Sequence, residues 1–334
     1  MGDGVQVDMN INLYTKFIAT LRHGDTIPAD QVHPEMLSKT MSHTRTGNFP
    51  IGFRRLWSDW QADLSALIDF AKAEQFQSVD VGVLPDAELK QILDAGLKIG
   101  TVDLAAWPGL SSADAGKRKD AAQQNIELIR RASALGVKAF FVVVLPEDPA
   151  APREENLKRA ADGFTQVCDG VKDTGARIAI EGWPGPDPIK PALACTPESY
   201  AALFDAVGSD VMGVNFDPSH LIRMGIDSVR FCREFVDRIA HVHAKDTDIN
   251  AEATYLYGHE QPATLAKAHG FGAHAWRYTI PGHGVARWSA LFSILADAGY
   301  KGGVSIELED EAFFGSDDDQ KLGFVASREF LKYA

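Results

Sequence analysis

Cysteine is scarce in this chain of 334 residues. The three that occur, Cys168, Cys195 and Cys232, are odd in number and far apart, with no CxxC pair. That spacing excludes a disulfide scaffold and a thiolate zinc site, and leaves ordinary buried thiols. Positive charge is also short: 33 basic residues against 46 acidic give a formal charge of −13, with no basic stripe interleaved with aromatics. Nucleic acid is therefore not an expected partner, because phosphate binding needs local positive potential. No run approaches the roughly 20 apolar residues of a membrane helix. The opening MGDGVQVDMN has neither the basic region nor the apolar core of a signal peptide, so a soluble cytoplasmic protein is the expectation. A GxGxxG turn is missing too, which weakens any dinucleotide-binding reading.

What is present is a rhythm. Apolar residues form 45 % of the chain, and after a polar stretch over residues 1–50, read as an N-terminal extension, they recur in alternating short runs and helical patterns. Strands are expected at 51–53, 79–84, 99–105, 139–145, 178–181, 211–216, 239–242 and 303–308. The run AFFVVVL, from Ala139, is of the kind buried on both faces. Eight strands alternating with helices predict a (β/α)8 TIM barrel over 51–315, with a C-terminal helix at 316–334. The competing arrangement, a doubly wound open sheet, leaves two edges to cover. One connection breaks the rhythm: about 247–287, roughly forty residues after the seventh strand, is too long for a simple loop and predicts an insertion over the carboxyl mouth.

In such a barrel the polar residues ending the strands share one site. IAIE ends in Glu181, VNFD in Asp217, AHVH in His243 and VSIE in Glu307. Carboxylates buried without a cation or proton are costly, so this oxygen-rich set with one imidazole points to one divalent metal ion, Mn, Mg, Co or Zn rather than copper or an iron-sulfur cluster. Each acid taken singly also fits a salt bridge or helix cap. Glu309 competes with Glu307 as the functional acid. Strand alternation is expected to turn His241 away from His243, as a structural histidine.

These residues resemble the xylose isomerase-like TIM-barrel superfamily, in its sugar isomerase and ketose epimerase branches, which also holds inosose dehydratases. The resemblance covers roughly 51–311. It implies a metal held by Glu181, Asp217, His243 and Glu307, with Glu181 and Glu307 also acting as acid and base, and with His220 of DPSH meeting the substrate. This chain departs from the epimerases where they carry GExN and an Arg after the metal-binding His: here the sequence is AKDTD, then Ile249. EGWPGP replaces their EPxNR-like continuation, and Asp187, six residues after Glu181, is expected to replace a substrate-contacting glutamate of theirs with a shorter reach.

Further substrate contacts are expected from Lys245, whose alternative is an ion pair with Asp246 or Asp248. Arg277 and His283 of the insertion are lid candidates, and Trp183 and Trp107 offer a sugar-facing wall or barrel-end packing. The implied activity is metal-dependent isomerisation or epimerisation of a sugar or keto-sugar through an enediolate. The alternative is a metal-dependent lyase or hydratase acting on an inosose or 3-keto-glycoside, including a C-glycoside deglycosidase-like subunit with a smaller partner. A noncatalytic assembly subunit is a third class. A homo-oligomer is expected, with no membrane contact.

Overall fold

The apolar runs become strands wherever β-branched and aromatic residues are bounded by caps or glycine. In the structure, a computed structural model describing residues 42–185, 191–258 and 265–334, eight such strands are parallel. They are β1 (Ile51–Arg54), β2 (Ser78–Val81), β3 (Lys98–Asp103), β4 (Ala139–Val143), β5 (Arg177–Glu181), β6 (Met212–Phe216), β7 (Ile239–Ala244) and β10 (Val304–Ile306). They close in the order β1-β10-β7-β6-β5-β4-β3-β2. Closure is the expected TIM barrel and excludes the open sheet, since no barrel strand keeps an unpaired edge.

Helices between the strands start where their caps dictate. Asp63, Asp114 and Asp227 each accept two first-turn backbone N–H groups. Thr196 forms a capping box with Ser199, and Gly208 ends that helix with a positive φ. Their apolar faces meet the outward side chains of the strands. Ile51 and Phe53, Val79 and Val81, Ile178 and Ile180, and Val304 and Ile306 all belong to this single buried core.

The inward positions are different in kind. They include Gly52, Ser78, Asp80, Ala179, Glu181, Asn215, His241, His243 and Ser305, small or polar residues, with the aromatic Phe141 among them, rather than large aliphatic ones. Register aligns them: Glu181 pairs with Asn215, Asn215 with His241, and His243 with Ser305. Gly100 has a steric reason to be glycine, because a Cβ there would lie 2.0 Å from Asp80 Oδ1.

The long connection after β7 is built on a two-stranded antiparallel ribbon, β8 (Asp246–Ile249) with β9 (Trp276–Thr279), and carries the helix Ala251–Tyr257. Asp246 fixes its base by accepting hydrogen bonds from the backbone N–H groups of Thr247, Gly282 and Ala286 and from the Trp288 indole. The last helix, Asp317–Tyr333, is capped by Ser316 and packs Phe324 and Leu331 into the core. Among the described residues, no helix is long and apolar enough to cross a membrane.

Candidate metal and catalytic site

Buried carboxylates and imidazoles gather at the carboxyl ends of β5, β6, β7 and β10. Glu181 closes β5, and its Oε1 lies 3.0 Å from the donating Asn215 Nδ2 and 2.7 Å from His243 Nδ1. Asp217 follows β6 and caps the short helix Pro218–Arg223 through Oδ1, which accepts from Ser219 N–H at 2.8 Å. Its Oδ2 is thereby left to face the site. His220, on that helix, brings Nε2 to 3.5 Å from Glu181 Oε2 and 3.4 Å from Asp217 Oδ2. Glu307 follows β10, with Oε2 3.6 Å from His243 Nδ1 and Oε1 3.4 Å from Arg54 Nε.

Lys245, only 1 % exposed, threads into this cluster. Its ammonium contacts Glu307 Oε2, donates to Glu309 Oε2 at 2.9 Å and lies 3.3 Å from Asp217 Oδ2. The ion pair with Asp246 or Asp248 expected as one alternative does not form: Asp246 is occupied by the ribbon base, and Asp248 faces Arg277 at 3.4 Å. Glu309, the competing acid, stands within the cluster as the second partner of the lysine.

These contacts set the protonation states. Burial and the neighbouring Glu307 push the Glu181 carboxyl up, but His243 and His220 outweigh them and hold it at about 2. Burial likewise opposes ionisation of Glu307, yet Lys245, His243 and Arg54 bring it well below the usual carboxylate range. Lys245 is pushed down by burial and further up by Glu307, Glu309 and Asp217, so it stays charged.

Beneath this layer is a second group. Asp80 Oδ2 lies 2.8 Å from His241 Nε2 and 3.3 Å from His243 Nε2. The assignment of His241 to the opposite face of its strand is thus corrected. Residues two apart on a strand point the same way, and both rings enter the barrel, 5.6 Å apart. Phe141 stacks on His243 at 5.2 Å, and Arg54 covers Phe141 while forming a bidentate pair with Asp103.

The donor set fits a hard divalent cation. One donor atom each from Glu181, Asp217, His220 and Glu307 lie within 4.8 Å of one another, and Asp80, His241 and His243 form a second such group. Asp217 Oδ2 and His220 Nε2 are buried with no hydrogen-bond partner among the described residues. Three carboxylates converging beside the imidazoles, with the Asp217 oxygen left unpaired, are what a cation with oxygen ligands needs. The expected set carried His243 where this one carries His220, and His243 reaches the same carboxylates through Nδ1. Either imidazole is geometrically available.

The other candidates divide. Arg277 is on β9 and pairs with Asp248, with Asp310 at 3.9 Å. His283 is exposed beside Phe313, and Trp107 packs half-buried against the core. Trp183 is half-buried just after β5. Asp187 lies outside the described residues. Sequence reasoning passed over Arg54, Asp80, Asp103, Asn215, Arg223 and Tyr278. The strand-end rule would have found Arg54 and Asp103, which end β1 and β3; Tyr278, on the inserted ribbon, carried no such signal.

A closed eight-stranded barrel with its acids and imidazoles at the carboxyl mouth defines the enzyme-bearing (β/α)8 class. Within that class, the chain belongs to the xylose isomerase-like TIM barrel family, whose sequence profile matches residues 63–334. It is 36 % identical over 166 residues to the Bacillus subtilis protein YfiH, covering 49 % of this chain and 47 % of that protein. It is 31 % identical over 158 residues to an inosose dehydratase of Clostridium botulinum, covering 47 % and 49 % respectively. The chain spans about half the length of the curated relatives it matches. Similar solved structures include Escherichia coli 3-keto-D-glucoside 4-epimerase YcjR, with a TM-score of 0.62 at 15 % identity over 84 % of this chain and 98 % of that one. The zinc-bound IolI protein has a TM-score of 0.60 at 17 % identity, over 84 % and 97 %. At these identities the structural likeness speaks to the fold.

Proposed function

We propose that this protein is a divalent-metal-dependent isomerase or epimerase of a sugar or keto-sugar, working through an enediolate. The observation that carries the reading is the pairing of two buried glutamates, Glu181 and Glu307, on strands separated by β6 and β7, around Asp217 and an imidazole. Two carboxylates approaching one carbon from different strands supply a base to take its proton and an acid to return one. An ion bound there, Mn in the first instance, would supply Lewis acidity toward the neighbouring carbonyl and hydroxyl and so lower the cost of the enediolate. Glu181, Asp217, His243 and Glu307 are the residues assigned to hold it.

The chain's own groups have distinct tasks in this reading. Lys245 keeps Glu307 ionised, so Glu307 enters the cycle as a base. His220 presents Nε2 to a substrate oxygen from beside Glu181 and Asp217. The inserted ribbon, through Tyr278, closes one wall and limits water. Trp183, Arg277 and His283 are assigned to the rim rather than to the reacting atoms.

A second reading, loss of a β-substituent from the same enediolate, is favoured by the similarity to inosose dehydratases. In its deglycosidase-like form it includes a smaller companion subunit. A panel of free ketoses, inososes and 3-keto-glycosides with Mn or Mg in deuterated water separates the two. Deuterium in a rearranged sugar supports isomerase or epimerase; an unsaturated product or released aglycone supports the lyase. Full activity in Glu181→Gln and in Glu307→Gln would overturn both.

A further inference from the structure

Two imidazoles compete for the same carboxylates, and a contact on the far side of one of them decides between them. His220 Nδ1 lies 2.7 Å from the Tyr278 hydroxyl, and Arg223 Nη1 donates to that hydroxyl at 2.8 Å. A guanidinium has donors only, so it takes a lone pair of the phenol oxygen. The hydroxyl has one proton. If His220 also donated, from Nδ1, that proton would be left in a buried site with no acceptor among the described residues, at a cost of about 1–3 kcal/mol. With the phenol donating to Nδ1, the guanidinium, the hydroxyl and Nδ1 are all paired, and the ring proton is on Nε2, which faces Asp217 Oδ2 at 3.4 Å and Glu181 Oε2 at 3.5 Å. Arg223 is itself held in place, donating to Gly185 O at 3.0 Å and lying 4.3 Å over the Trp276 ring.

We propose that Arg223 and Tyr278 form a positioning relay that locks His220 as its Nε2–H tautomer, the form that bars it from ligating the ion and that the substrate contact already assigned to it requires. A protonated ring nitrogen has no lone pair for a cation. The ligand imidazole is then His243, which has the complementary arrangement. Its Nδ1 faces Glu181 and Glu307, while its Nε2 faces Asp80, the carboxylate partner that commonly orients a metal-bound histidine. The donor role toward substrate rests on the isomerase or epimerase reading; the tautomer does not. The inserted ribbon thereby has a task inside the site, since Tyr278 is on β9.

The experiment is long-range proton–nitrogen correlation on full-length protein labelled with 15N-histidine, with His220 identified by its loss in His220→Gln. In metal-free wild type, Nδ1 of His220 should show the shift of an acceptor nitrogen and Nε2 that of a protonated one. Adding Zn2+, a diamagnetic probe, should move the His243 resonances and leave His220 as the same tautomer. In Tyr278→Phe the donor to Nδ1 is gone, and His220 should shift toward the other tautomer or a mixture. A wild-type Nδ1 that is protonated, a Zn2+ shift on His220 Nε2, or an unchanged tautomer in Tyr278→Phe overturns the relay. The wild-type spectrum decides even if the variant does not fold. Failure of the sugar panel, with the expected tautomer seen, removes the functional reading and leaves the relay standing.

Discussion

Replacing Lys245 with methionine keeps the reach of the side chain and removes its ammonium. In the folded protein that ammonium is almost wholly buried and serves Glu307, Glu309 at 2.9 Å and Asp217 at 3.3 Å. Breaking a buried ion pair by deleting one partner costs about 3–5 kcal/mol, because the surviving charges keep their desolvation penalty. A chain of 334 residues has an unfolding entropy of roughly 0.7 kcal/mol per kelvin. The variant should therefore melt about 4–7 °C lower than wild type after treatment with chelator. The same deletion removes a like charge from the neighbourhood of the proposed cation. If the ion then binds about tenfold tighter, worth about 1.4 kcal/mol, saturating Mn should raise the melting temperature of the variant by about 2 °C more than that of wild type. Thermal denaturation by circular dichroism, with chelator and with Mn, reads both effects. A variant melting within 1 °C of wild type in chelator would refute the buried network; an equal Mn shift in both proteins would refute the placing of the ion beside Lys245.

Asp80→Asn should weaken Mn retention by about 10–100-fold in calorimetric titration, the usual cost of losing a carboxylate that orients a ligand histidine; unchanged affinity would separate His243 from the ion. All three cysteines are buried, and burial pushes Cys168 up to about 11 and Cys232 up to about 12. Mass spectrometry should accordingly find no iodoacetamide adduct on the folded protein at pH 8 and three adducts in urea. Adducts on folded protein would show a reactive thiol that this structure does not contain. Asp246→Ala orphans four donors at the base of the inserted ribbon, so a loss of at least about 2 kcal/mol is expected, together with faster proteolytic cutting between 250 and 275. An unchanged cutting pattern would mean that Asp246 does not anchor the ribbon.

The barrel was legible in the amino-acid order because parallel strands buried on both faces leave continuous apolar runs, and because helix caps such as Thr196 and Asp227 are local in sequence. The gathering of Glu181, Asp217, His243 and Glu307 at one end of the barrel was legible as well. Each ends or follows an apolar run, and a barrel sends such residues to one mouth. Arg54 was harder to see because Arg55 follows it and the pair looks like an ordinary boundary, while Asp80 interrupts a short strand as a lone charge. His241 shows how periodicity misleads when misapplied: its spacing of two from His243 puts it on the same face, and the ring is held there by Asp80.

What the sequence determined by itself was therefore the alternation of elements, the closed-barrel class and the chemical character of the strand ends. Only the tertiary structure decided the partners. Lys245 meets Glu307 and Glu309 instead of its neighbours Asp246 and Asp248, and His220 meets Tyr278 across 58 residues. Periodicity fixes which way a side chain faces, but a buried charge or imidazole takes the partner that barrel closure and the folding-back of the ribbon bring within about 3 Å.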